Sequence, residues 1–189
     1  MKIGILGGTF NPIHIGHLIL AQEAQEKLGL DKIIFVPTYM PPHKENSDIA
    51  PANKRLAMVN LAIKGNKNFF VSDTEIKRDG RSYTIDTLRE FKKIYPLDEL
   101  FFIIGSDLLN YLDEWKDLSD IIKLVKFIVV TRPGFALDRI PSYISTVAIN
   151  AVDISGFEIR RRVKENRSLR YLVPEPVRSY IAKNKLYKQ

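Results

Sequence analysis

The stretch Gly7-Gly8-Thr9-Phe10-Asn11-Pro12-Ile13-His14-Ile15-Gly16-His17 holds the residue types of a phosphate site. It follows an apolar run, Ile3 to Leu6, and opens a helical pattern, Leu18 to Leu28. Glycines let backbone N–H groups approach an anion, and a helix N-terminus adds a partial positive charge. His14 and His17 are three residues apart, so one turn of helix puts them on a shared face. Each can donate a hydrogen bond to a phosphate oxygen. The run is neither the dinucleotide fingerprint G-x-G-x-x-G nor a Walker A loop, which ends in Gly-Lys-Ser/Thr.

Other residues on the chain suit the same chemistry. The segment Lys32 to Glu45 is rich in proline and carries a basic tip, His43-Lys44, as a loop closing over an anion would; Lys44 is the better phosphate anchor of the two. Gly105-Ser106-Asp107 follows an apolar run, where a glycine lets a ligand approach the backbone, and Ser or Asp also serves as an ordinary helix N-cap. Thr131-Arg132-Pro133-Gly134 closes another apolar run with a cation. Ser155-x-x-Glu158 is a capping box followed by Arg160.

Apolar runs at Ile3–Leu6, Ile33–Val36, Phe69–Val71, Leu100–Ile104 and Phe127–Val130 read as buried strands, with Thr146–Ile149 as a weaker sixth. Helical patterns fall at 15–28, 52–64, 84–95 and 106–123, with Gly29 and Gly65 placed as C-caps. The capping box predicts a helix to about Arg167, and Pro174 starts a last short one. Alternating strand and helix predicts an α/β fold, a parallel sheet with helices on both faces. Right-handed crossovers then bring all strand C-termini to one edge, where the first motif and Gly105 meet.

Composition narrows the class. A chain of 189 residues that is 45% apolar predicts one domain, residues 1–189, with 151–189 as a small helical C-terminal piece. No apolar run reaches the roughly 20 residues of a membrane span. The absence of cysteine excludes disulfides and thiolate metal sites. A first strand beginning at Lys2 leaves no room for a signal peptide, so the expected location is cytoplasmic. No Asp/Glu/His cluster has metal-ligand spacing, so no resident metal is expected. The net charge of +7 is concentrated in residues 151–189, with 10 Lys+Arg against 4 Asp+Glu. Arg160-Arg161-Arg162 lacks interleaved aromatics, which ranks nucleic-acid binding behind a solvated helical face and behind attraction for a polyphosphate.

The first motif resembles the H-x-G-H signature of the nucleotidyltransferase superfamily. Its eleven-residue form is similar to that of bacterial nicotinate-nucleotide adenylyltransferases. Pro41-Pro42-His43-Lys44, Ser82 to Leu88, Phe101 to Asp107, Trp115, Arg132-Pro133-Gly134, Ile154 to Arg160 and Tyr171-Leu172-Val173-Pro174 extend the resemblance through most of the chain. It implies a Rossmann-like nucleotidyltransferase fold and transfer of AMP from ATP to nicotinate mononucleotide in NAD biosynthesis, with Mg²⁺ carried on ATP. It implies neither a nucleic-acid nor a membrane partner, and leaves a homodimer open.

The implied roles are specific. His17 donates to the α-phosphate oxygens and His14 to the phosphates of ATP, with Lys44 and Arg160 as the catalytic cations. Gly7, Gly8, Thr9, Phe10, Gly105, Ser106, Asp107, Arg132, Ser155 and Arg160 join the two histidines around ATP. Gly8, Thr9, Lys44, Tyr83, Thr84 and Trp115 take nicotinate mononucleotide: Trp115 offers an aromatic face to the pyridine and Thr84 a donor to its carboxylate. Gly156 and Phe157 stand where the family usually has Ser and Thr, so two hydroxyls are missing. A pantetheine-phosphate adenylyltransferase would keep both histidines without a reason for Thr84 and Trp115 together. A dinucleotide-binding oxidoreductase would need the absent glycine fingerprint.

Overall fold

The computed structural model describes residues 1–41, 49–131, 140–150 and 152–188. Among these residues six strands form one sheet: β1 (Lys2–Gly8), β2 (Lys32–Pro37), β3 (Phe69–Val71), β4 (Glu99–Gly105), β5 (Lys126–Thr131) and β6 (Ile144–Ala148). Their order is β3-β2-β1-β4-β5-β6 and every pairing is parallel. A parallel sheet is covered on both faces, which is why its strands read as unbroken apolar runs.

Successive residues divide the apolar core into two layers. Leu6, Ile33, Phe35, Phe101, Ile103, Ile128 and Val130 face one side; Ile3, Ile5, Ile34, Val36, Phe102, Ile104, Phe127 and Val129 face the other. The first layer is closed by α1 (Ile15–Leu28), α2 (Ala52–Ile63), α6 (Gly156–Lys164) and α7 (Glu175–Lys183), the second by α4 (Thr84–Ile94) and α5 (Leu118–Leu124). The C-terminal piece therefore shares the main core: Ile159, Val177 and Ile181 are buried beside Met58 and Val59. Among the described residues, no helix is long and apolar enough to cross a membrane.

Several elements depart from the sequence reading. The pattern at 106–123 divides into a 3-10 helix, Ser106–Glu114, and α5, because Trp115 is extended and Asp117 lies in the left-handed region at φ 54°. A short helix, α3 (Thr74–Arg78), has too few residues to show a period. Residue Gly29 caps α1 in the left-handed conformation as expected, whereas α2 ends at Ile63 with Lys64 as its C-cap, and Gly65 follows at φ 97°. Helix α6 stops at Lys164, short of Arg167.

The chain runs from β1 outward to β3, then returns to the other side of β1 as β4. Strand order reverses between β1 and β4, and open α/β sheets take ligands at such a point, beyond the strand C-termini. The loop after Gly8 and the turn after Gly105 both leave the sheet there.

Candidate active site

Between β1 and α1 the backbone is bent by Phe10, which sits at φ 46° with its ring buried at 2% exposure. A left-handed aromatic residue costs about 1–2 kcal/mol, held here by the packing of its ring. That ring lies under Gly8, where a Cβ would come within 3.2 Å of it, and meets the His17 ring edge-on at 5.1 Å. Of Phe10, the backbone alone is left to face a ligand; the ring serves the loop from below.

Helix α1 begins with His14 as its N-cap, in extended conformation. The His14 backbone N–H donates to His17 Nδ1 at 3.2 Å, and the two imidazoles stack at 3.7 Å between centroids. A backbone N–H only donates, so Nδ1 of His17 is an acceptor and the proton of the neutral ring is on Nε2. One contact thus caps the helix and fixes the tautomer in which Nε2 carries the proton. The stack is possible because residue 16 is glycine: a Cβ there would lie 3.1 Å from His14 Nδ1 and 3.3 Å from Cε1.

This close fit makes a test. Gly16→Ala ordinarily gains about 0.5–1 kcal/mol of helix stability, yet here the methyl displaces His14 from its stack. We expect a variant that melts no lower than the parent while turnover falls about 10- to 100-fold, the scale of a sub-ångström to ångström misplacement in a reacting site. Unchanged turnover in Gly16→Ala would show that His14's position is not critical.

The loop's carbonyls are claimed from the protein side. Gly8 O accepts from Thr38 N at 3.0 Å, Thr9 O from Arg55 Nη1 at 2.7 Å, and Asn11 O from Arg160 Nη1 at 2.9 Å. The Asn11 side-chain oxygen accepts from Ala50 N at 3.0 Å. These three carbonyls are thereby satisfied within the protein.

Helix α6 brings a second N-terminus to the same loop. Ser155 caps it, accepting from Glu158 N at 3.2 Å, while the Glu158 carboxylate pairs with Arg161 and Arg162. Gly156 is a close approach: a Cβ would fall 2.9 Å from Asn11 O. The missing hydroxyl at 156 therefore coincides with tight docking of α6 on the phosphate loop. Phe157, in the other substituted position, is exposed.

A second cluster lies along the same edge. Tyr39 N donates to Ser82 Oγ at 2.9 Å, and Ser82 N donates to Met40 O at 3.0 Å, which ties the start of α4 to the end of β2. Tyr83 caps α4 and Thr84 is its first residue; the Lys116 ammonium sits 4.7 Å from the Tyr83 ring. Trp115 packs on Phe102 at 5.9 Å and Phe127 at 6.0 Å, and is only partly buried. Gly105 and Ser106 leave β4 beside β1. His43, Lys44 and Arg132 lie outside the described residues, as does the side chain of Asp107.

Sequence reasoning passed over two buried charges. Arg55 is 1% exposed on α2, on the same face as Met58, Val59 and Ile63; a cation in an apolar stripe was the available signal. Glu75 of α3 is also buried, accepts from Thr87 Oγ1 at 2.7 Å, and Thr87 in turn accepts from Arg78 at 2.9 Å. Burial pushes the Glu75 carboxyl above the usual carboxylate range, against the opposing effects of Thr87, Ser82, Arg78 and Arg55. A raised native value means that the folded state retains a proton the unfolded chain has lost above pH 4.5, so this group's contribution to stability falls as pH rises. Glu75→Gln cannot titrate. In thermal melts its Tm relative to the parent should rise as pH increases above about 4.5; a constant difference would refute the raised carboxyl.

Comparison with known proteins identifies the family. Residues 5–162 match the cytidylyltransferase-like family. The nicotinate-nucleotide adenylyltransferase of Bacillus subtilis is 42% identical, covering 98% of each chain. A probable nicotinate-nucleotide adenylyltransferase of Thermus thermophilus is 45% identical over 100% of both. The fold is that of the Plasmodium falciparum nicotinic acid mononucleotide adenylyltransferase solved with NaAD, at TM-score 0.80 and 21% identity, covering 98% of this chain and 97% of that one. Taken with the paired histidines at the strand-order reversal, these matches place the chain in the cytidylyltransferase-like family and, within it, among the nicotinate-nucleotide adenylyltransferases.

Proposed function

We propose that this chain adenylylates nicotinate mononucleotide with ATP, giving nicotinate adenine dinucleotide and pyrophosphate, and that the loop Gly7–His17 is where the phosphorus changes hands. The observation that carries the reading is the His14–His17 pair, stacked at the N-terminus of α1 with the donor edge of His17 fixed.

An acceptor phosphate oxygen attacks the α-phosphorus in line. The new P–O bond forms as the bond to the β-phosphate oxygen breaks, and the electron pair leaves on pyrophosphate. Charge spreads over the α-phosphoryl oxygens during this exchange, so fixed donors stabilise it more than the ground state. His17 Nε2–H supplies one such donor, His14 and the N–H groups of Gly7, Gly8, Thr9 and Phe10 the rest. Arg160 and the Ser155 end of α6 take the outer phosphates, with Arg132 and Lys44 as further cations. Mg²⁺ arrives as part of the substrate, on the triphosphate. Gly105, Ser106 and Asp107 receive the adenosine side. Thr84, Tyr83 and Trp115 receive the pyridine and its carboxylate, and so select the acceptor. The chain works as one nucleotidyltransferase domain, in the cytoplasm.

The test is pyrophosphate release from ATP and Mg²⁺ with nicotinate mononucleotide, nicotinamide mononucleotide or pantetheine phosphate as acceptor. Turnover chiefly with the first is expected. Turnover chiefly with another would leave the histidine loop in place and overturn the acceptor assignment, and silence with all three would overturn the reaction.

A further inference from the structure

Arg55 carries a full charge into the interior and spends it on three neutral partners. Its Nε donates to Ala50 O at 2.9 Å, its Nη1 to Thr9 O at 2.7 Å and its Nη2 to Tyr39 O at 2.9 Å. These carbonyls belong to three separate segments: the loop after β1, the chain leaving β2, and the approach to α2. Among the described residues no carboxylate pairs with it. Glu75 acts on it only through space while bonding Thr87.

We propose that Arg55 is a positioning residue of the adenylyl transfer, fixing the Thr9 carbonyl from below so that the loop's N–H groups stay aimed at the nucleotide phosphates. It also completes its own charge balance when those phosphates bind. The inference rests on the loop being the ATP site.

Two arguments separate this from a plain structural crosslink. A buried cation without a counter-ion is a poor stabiliser, because desolvation is only partly returned by neutral dipoles. Placed directly behind an anion-binding loop, it gains its counter-charge from the substrate, which a neutral donor could not do. The fork geometry matters as well: only guanidinium has donors in one plane for three carbonyls at once.

The experiment compares Arg55→Lys and Arg55→Met with the parent, once the parent's turnover has been established. Lysine keeps the charge and loses the fork; methionine loses both. Readouts are kcat per folded molecule and the equilibrium Kd for ATP–Mg²⁺ by calorimetry, with circular dichroism for folding. For Arg55→Lys we expect kcat about 100-fold lower and Kd within about threefold of the parent. For Arg55→Met we expect the same loss of kcat plus a Kd about tenfold weaker. Near-parental kcat in the lysine variant would overturn the positioning role. Equal Kd values in two folded variants would overturn the charge role. Should the methionine variant not fold, the lysine variant decides the positioning claim alone. A parent inactive with every acceptor would instead refute the reaction itself, separately from these comparisons.

Discussion

Replacing His17 with alanine is expected to lower kcat about 10²–10³-fold while leaving KM for both substrates within a few-fold. That is the scale for losing one fixed donor to charge that develops in a transition state. His17 also caps α1, so alanine alone would confound chemistry with helix stability. Two further variants divide the roles. His17→Asn retains an oxygen near Nδ1 to accept from the His14 N–H, and has nothing at the Nε2 position. It should fold like the parent and react like alanine. His17→Gln reaches the Nε2 position with an amide donor and gives up the cap. It should recover part of kcat at the cost of about 1 kcal/mol of stability. If His17→Asn were as fast as the parent, the histidine would be a capping residue and the proposed donor role would fall.

Arg160 is the second residue whose removal should be felt strongly. Its Nη1 bond to Asn11 O joins α6 to the phosphate loop, and its charge stands at the end where the leaving pyrophosphate is placed. A charge-assisted hydrogen bond contributes about 1.5–3 kcal/mol, so Arg160→Met should lower kcat/KM for ATP roughly 10- to 100-fold. The KM for nicotinate mononucleotide should stay within about threefold, because that substrate is assigned to the α4 cluster. Arg160→Lys keeps the charge without the planar fork and should recover only part of the loss. Steady-state kinetics with each substrate varied in turn decide it. An unchanged kcat/KM for ATP would mean that Gly156 alone docks α6 and that Arg160 plays no part with the nucleotide.

Much of this architecture was legible because its signals are local. A parallel sheet covered on both faces leaves its strands as apolar runs, and β1 through β5 read that way. The β1–α1 loop is marked by paired glycines between a strand and a helix start. What escaped is non-local. The helical spacing at 106–123 is interrupted because Trp115 packs on Phe102 and Phe127, contacts from β4 and β5 that the segment itself does not announce. Arg55 binds carbonyls, which every residue has, so no partner type could betray it. Gly156 read as a lost hydroxyl, and only its distance to Asn11 O turned it into a steric requirement. The histidines were read as phosphate donors, and their second use, each completing the other's place at the helix start, depends on a 3.2 Å contact.

The uniform direction of the strands has a kinetic consequence. Parallel neighbours cannot be joined by a tight hairpin, so each pairing waits for a crossover to form. The central pairing is the most distant of all: Lys2 of β1 lies beside Glu99 of β4. Contacts between residues remote in sequence slow folding, since closure entropy is lost before contact energy is gained. The nucleotide site straddles that seam, and α6 must dock before Arg160 reaches Asn11. During refolding from denaturant, regained catalysis should therefore lag behind regained helical signal, and a synthesised chain should acquire its activity only after α6 has left the ribosome.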